Sequence, residues 1–97
     1  MYKIVWTDEA IAQLDGIGAY IAIDDPLAAA ALADRLIALA DSLAQFPNRG
    51  RPAGTSSREL SNVWPYILRY RVEGSTVVIL RIRHGARGSD EPGVEQG

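Results

Sequence analysis

Nine of the ten basic residues in this 97-residue sequence are arginine, and eight of those nine fall between Arg49 and Arg87. A guanidinium is planar, permanently charged and able to fork two N–H groups onto a carboxylate or phosphate, so a cluster of them suits an acidic peptide or a nucleic-acid backbone. Arg69, Arg71, Arg81 and Arg83 alternate with apolar residues in two β-prone runs, which puts all four on one face if the runs pair as strands. Arg58 and Arg87 would stand at the rim of that face. The plain alternative is a solvated outer sheet surface on which arginine only discourages edge aggregation. His84, next to Arg83, could act as a general acid or base because imidazole titrates near neutrality. No motif fixes a carboxylate or a second histidine beside it, and a structural histidine at a strand end is the competing reading. Tyr66 and Tyr70 share the core-facing parity and are expected to pack rather than stack on bases. Trp64, before a proline, is expected to be partly exposed.

Other chemistries lack their residues. The sequence has no cysteine and one histidine, which excludes thiolate and multi-histidine metal sites. Thr55, Ser56, Ser57 and Ser61 have no nucleophile-elbow context, and neither phosphate-loop nor zinc spacing occurs, so no metal or nucleotide cofactor is expected. Asp8, Glu9, Asp24 and Asp25 sit at helix starts, where capping and the helix dipole account for them. The net charge of −2 and a pI near 5.2 argue against a surface that clamps nucleic acid by general phosphate neutralisation. The opening run Met1–Trp6 is short for a signal peptide and no stretch reaches the roughly 18 apolar residues of a membrane span, so the expected location is cytoplasmic, away from the membrane.

The elements that must position the arginines read as follows. Tyr2–Trp6 is a short strand, and Thr7 is an N-cap followed by first-turn acids. Ile11, Leu14, Ile17 or Gly18, and Ile21 recur at helical spacing, although Gly16 and Gly18 each cost about 1 kcal/mol against alanine. Asp25 caps a second helix with Pro26 in its first turn and a stripe of Leu32, Leu36, Leu39 and Leu43, ending near Gln45. Pro47, Gly50, Pro52 and Gly54 then imply a loop to about Ser57. A short strand over 58–61 precedes a hairpin of 66–72 and 77–83. Its apolar faces, Leu68, Tyr70, Val72 and Val78, Leu80, Ile82, pair with Val72 opposite Val78 across a three-residue loop, Gly74 to Thr76. That register also opposes Arg69 to Arg81, a like-charge pair with a local cost. The whole is expected to be one α+β domain, β-α-α-β-β-β, with a helix hairpin on one face of an antiparallel sheet over residues 1–87 and a flexible tail over 88–97.

Three stretches resemble the pattern of the RelE/ParE toxin superfamily: Ile4-Val5-Trp6-Thr7-Asp8-Glu9-Ala10, then Phe46-Pro47-Asn48-Arg49-Gly50-Arg51-Pro52 with Arg58-Glu59-Leu60, and Tyr66-Ile67-Leu68-Arg69-Tyr70-Arg71-Val72 running on to Arg83-His84-Gly85-Ala86-Arg87. The resemblance implies the toxin half of a type II toxin–antitoxin pair. It is closer to the ParE branch, a plasmid-stabilisation type whose members inhibit DNA gyrase by binding and are held inactive by a ParD-like antitoxin. Such a toxin would reach operator DNA only through that antitoxin. RelE-type members cut messenger RNA on the ribosome. The arginine such nucleases carry after the first tyrosine of the third strand falls here at Ile67, and their C-terminal tyrosine has no counterpart in Gly88-Ser89-Asp90-Glu91-Pro92; only Arg87 matches. A member that keeps antitoxin binding without toxicity is a third reading. Arg58, Arg69, Arg71, Arg81, Arg83, His84 and Arg87 are the candidate antitoxin- or target-binding residues.

Overall fold

The computed structural model describes residues 1–85; the expected tail and Arg87 lie outside them. The chain opens with strand β1 (Lys3–Trp6), continues through helices α1 (Asp8–Ala22) and α2 (Pro26–Asp41) with a short 3-10 turn over Ser42–Ala44, and closes with β2 (Arg51–Ala53), β3 (Ser57–Val63), β4 (Tyr66–Glu73) and β5 (Thr76–His84). The α+β class and the β-α-α-β-β-β order expected from the sequence are therefore present. The three-residue β2 is an addition within the stretch expected to be loop.

The sheet runs β1-β5-β4-β3-β2. It is mixed, which corrects the antiparallel expectation: β1 pairs parallel to β5, with Val5 opposite Val78. Parallel neighbours need a long crossover connection, and the chain between these two strands holds everything else in the fold. Both helices start as their caps dictate. Thr7 Oγ1 accepts from the Ala10 amide at 3.1 Å and Asp25 Oδ1 from the Ala28 amide at 3.0 Å. The α2 stripe is buried as expected at Leu36, Leu39 and Leu43, with Leu32 packed partly against the core. On α1, however, Ile11 is exposed, and Ala10 is the residue that α1 buries fully. The helix begins so close to the sheet that the small side chain of Ala10 takes the inner place.

The β4–β5 hairpin differs from its expected register. Val72 faces Val77, not Val78, and Glu73 faces Thr76, so the turn is the two-residue Gly74-Ser75 with Gly74 at φ +60°. That is the geometry of a II′ hairpin, whose twist matches the strands. Farther along, Tyr70 pairs with Ile79 but Arg69 with Arg81, which leaves Leu80 as the extra residue of a β-bulge. The bulge flips the parity of β5. Val77 and Ile79 point into the core before it and Ile82 after it, whereas Val78 and Leu80, expected inside, are only partly covered. Arg69 still faces Arg81, because a turn one residue shorter and a bulge one residue longer offset each other.

Tyr70 lies at the centre of the core with no exposed surface. Its hydroxyl donates to the Pro47 carbonyl at 2.7 Å and accepts from the Gly50 amide at 2.9 Å, which ties the loop after the helices to the middle of the sheet. A side chain at position 50 would meet the Tyr70 ring at 2.8 Å, so glycine is required there. Burial raises the Tyr70 phenol above its ordinary range, against smaller opposing effects of the Gly50 amide, Arg58 and Arg49. A raised folded-state value means that stability is complete below the unfolded tyrosine pKa of about 10 and falls as pH rises beyond it. Tyr70→Phe strands the buried Gly50 N–H and is expected to lower unfolding stability by about 1–3 kcal/mol near neutral pH. In urea titrations from pH 8 to 11 the variant should also lose the tyrosine-dependent part of the alkaline decline.

Candidate anion-recognition face and adjoining cleft

The register assembles the arginines on the sheet face away from the helices. Across β2, β3, β4 and β5 it lines up Arg51, Glu59, Arg69 and Arg81 in one row, with Arg83 opposite Ile67 in the next. Glu59 is only 8% exposed, although it is a charged residue on an outer face. Arg83 reaches back across β4 to place Nη2 3.4 Å from both Glu59 carboxylate oxygens. A buried carboxylate flanked by guanidinium groups offsets much of the repulsion that Arg69 opposite Arg81 would otherwise bring. The sequence reading did not single out Glu59 or Arg51 as site residues. The available signal was that Glu59 is the sole acid between Arg49 and Val72 and has the same strand parity as the outer face.

The remaining candidates divide. Arg69 Nη2 donates to the Ala53 carbonyl at 3.2 Å, which anchors the β2–β3 turn. Arg71 pairs with Glu73 two residues on, and Arg81 Nε lies 3.9 Å from the Glu9 carboxylate at the start of α1. Both pairs are substantially solvated and contribute little stability. Arg58 is not part of the face. It opposes Tyr70 in the ladder and so points to the helix side, where Nη1 donates to the carbonyls of Gly50 at 2.7 Å and Asn48 at 3.2 Å. The outer face thus carries Arg51, Arg69, Arg71, Arg81 and Arg83 against Glu59 and Glu73, a surplus of positive charge suited to carboxylates or phosphates.

His84 opposes Tyr66, and the two rings meet edge to face with centroids 5.3 Å apart. Both line a cleft of about 450 Å³ between α1 and the end of the sheet, together with Gly16, Ile17, Tyr20 and Ile82. The Nδ1 of His84 is buried and finds no hydrogen-bond partner among the described residues. Tyr70 packs as expected; Tyr66 is half-buried and walls the cleft. Trp64 is 62% exposed beside Pro65, to which it is joined by a cis peptide, at the β3–β4 turn. Ile67 is buried, with Gly85 and Trp64 close by. Among the described residues no group of three or more metal-ligating side chains occurs, and no helix is long and apolar enough to cross a membrane.

With this geometry the chain matches known proteins over most of its length. The family model described as the ParE toxin of the type II toxin–antitoxin system, parDE, matches residues 4–88. The Caulobacter vibrioides protein named Toxin RelE2 is 51% identical over 87 residues, covering 90% of this chain and 99% of that one. Toxin RelE1 of the same organism is 47% identical over 64 residues, 63% of this chain and 69% of that one. Among solved structures, a chain of the chromosomal ParDE system of P. aeruginosa superposes with a TM-score of 0.76 at 31% identity, covering 87% of this chain and 96% of that one.

The Glu59 arrangement is directly testable. Glu59→Gln removes the carboxylate charge while keeping its shape, and is expected to reduce unfolding stability by about 1.5–3 kcal/mol, as for other lost hydrogen bonds to a charged group. Guanidinium chloride would mask the charge, so the comparison belongs in urea at low salt. A variant as stable as the parent would show that the arginine row needs no counter-charge.

Proposed function

Because the chain belongs to the ParE toxin family of type II toxin–antitoxin systems, we propose that this toxin acts by binding DNA gyrase and is neutralised by a ParD-like antitoxin. The observation that carries the gyrase reading over message cleavage is Ile67. RelE-type nucleases resemble one another in having an arginine after the first tyrosine of the strand that corresponds to β4 here. Here that position holds an isoleucine that is 5% exposed and packed where it has no means of touching a phosphate. His84, the one imidazole of the sequence, meets a tyrosine ring and, among the described residues, no carboxylate that would orient it for proton transfer. An arrangement of arginines around one buried carboxylate favours recognition of an acidic partner over bond cleavage.

Cleavage of messenger RNA is the second reading, favoured by the identity with Toxin RelE2. The antitoxin is the partner that fits the outer sheet face. A segment with acidic residues would meet the surplus guanidinium groups there, and a small domain with a limited core gains stability from being wrapped. Location in the cytoplasm follows from either target.

Induction of the toxin alone in bacteria separates the two targets. Trapped gyrase–DNA cleavage complexes and altered plasmid supercoiling with intact message are the expected outcome. Codon-positioned cuts in message with normal supercoiling would transfer the chain to the nuclease reading. For the partner, Arg81→Ala and Arg83→Ala are each expected to weaken antitoxin binding by about 1–3 kcal/mol, measured by titration calorimetry, if acidic side chains pair with them. Unchanged affinity in both would remove the arginine face from the interface.

A further inference from the structure

Thr55, Ser56 and Ser57 follow Gly54 where the chain turns from β2 into β3, and neither the core nor the arginine row uses them. Their hydroxyls and the Asn48 carboxamide take part in no hydrogen bond among the described residues, so water satisfies them. Together with Arg58 they surround a cavity of about 210 Å³, walled on its apolar side by Pro52 and Val72. Arg58 opposes Pro52 in one ladder and Tyr70 in the other, which places the cavity on the helix side of the sheet, away from the arginine row. It shares no lining residue with the cleft beside α1.

Arg58 also differs from the outer arginines in its charge partners. Arg71, Arg81 and Arg83 each lie beside a carboxylate, whereas Arg58 has none among the described residues. Its Nη1 donates to the carbonyls of Gly50 at 2.7 Å and Asn48 at 3.2 Å. A guanidinium has N–H groups on all three nitrogens, so Nε and Nη2 remain to donate elsewhere. Arg49 adds a second positive charge near enough to act on the Tyr70 hydroxyl, as Arg58 does.

The shape of this donor set selects the ligand. One guanidinium fork suffices for a planar carboxylate, while a tetrahedral oxyanion presents oxygens in several directions and accepts from arginine, hydroxyl and amide groups ranged around it. The turn is also fixed in advance. Arg69 Nη2 reaches from the outer face to the Ala53 carbonyl at 3.2 Å, and Gly54 adopts φ +73°, where a side chain would be strained and would meet that same Nη2. Donors held in place lose little freedom when a ligand arrives.

We propose that the cavity between the β2–β3 turn and Arg58 binds a phosphate-type oxyanion, Arg58 supplying the charge and Asn48 and the turn hydroxyls the other donors. Free phosphate and a nucleic-acid backbone phosphate share this chemistry. The site stands independently of which target the toxin has.

The test is an NMR titration of the isotope-labelled full chain with sodium phosphate, followed amide by amide and compared with sodium chloride at matched ionic strength. Saturable shifts centred on Asn48 and residues 54–58 are expected with phosphate and not with chloride. Ser56→Ala and Ser57→Ala should keep the parent's Tm, since neither side chain is in the core, and each should weaken phosphate binding about three- to tenfold, the scale of one hydrogen bond. Arg58→Lys should weaken it further, but this variant also releases two loop carbonyls, so the serine variants decide. Shifts that never saturate, equal shifts with chloride, shifts centred on Arg69 and Arg81, or serine variants that bind like the parent would each overturn the proposal. A parallel titration with a short single-stranded oligonucleotide lacking terminal phosphates separates the two sources. Saturation of the same amides assigns a backbone phosphate; a response only to inorganic phosphate assigns the free ion.

Discussion

Strand β5 sits between two neighbours of unequal length, and the fold is organised around that mismatch. On one side β4 accompanies it from Thr76 to His84; on the other, β1 lasts four residues and leaves β5 beyond Ile79 without a strand partner. Unpaired backbone groups at a partly covered edge must find partners or lose about 1–3 kcal/mol each. The helix that follows β1 supplies them. Thr7 donates its amide to the Ile79 carbonyl and its hydroxyl to that of Leu80, both at 3.0 Å, and Gln13 accepts from the Ile82 amide at 2.6 Å. The same Thr7 hydroxyl oxygen caps α1, so one residue ends the strand, starts the helix and binds it to the sheet edge.

From this docking the rest follows. The bulge at Leu80 falls where β1 gives way to α1, and it turns Arg81 and Arg83 outward while Ile82 enters the core. Without that change of parity, Ile79 in the core would require Arg81 and Arg83 in the core as well. The arginine face is therefore a consequence of how the sheet edge is closed. Gln13 ties the first half of α1 to β5, and the cleft opens beside it, lined by Gly16, Ile17 and Tyr20 from the helix and by Tyr66, Ile82 and His84 from the sheet.

What the sequence revealed, and what it hid, divides along the range of the interactions. The caps at Thr7 and Asp25, the leucine stripe of α2 and the hairpin strands rest on neighbours a few residues apart, and each was legible in residue type and spacing. The bulge, the parallel β1 pairing and β2 depend on contacts between distant segments that periodicity does not encode. Arg69 opposite Arg81 was reached through a register in which two displacements compensate, so the pair was right while the faces of Val78 and Leu80 were not. Glu59 escaped notice because strand parity marks it as solvent-facing. It is buried by Arg83, 24 residues later in the chain, and only the folded sheet brings the two together.

The acidic pI is a poorer guide to partners than it looked, because the charges are segregated. Residues 8–41 hold seven acids against one base, whereas residues 49–84 hold seven arginines against two acids. A partner approaching the sheet meets a basic surface whatever the net charge, and attraction over a Debye length of about 8–10 Å depends on the nearer face. Overall acidity therefore does not by itself exclude nucleic acid from the sheet. Individual positions discriminate better: an isoleucine buried at 67, a histidine facing a tyrosine ring, and guanidinium groups gathered around an internal carboxylate. These constrain the geometry of any phosphodiester reaction far more than bulk charge does, and each leaves the arginines suited to holding a partner in place.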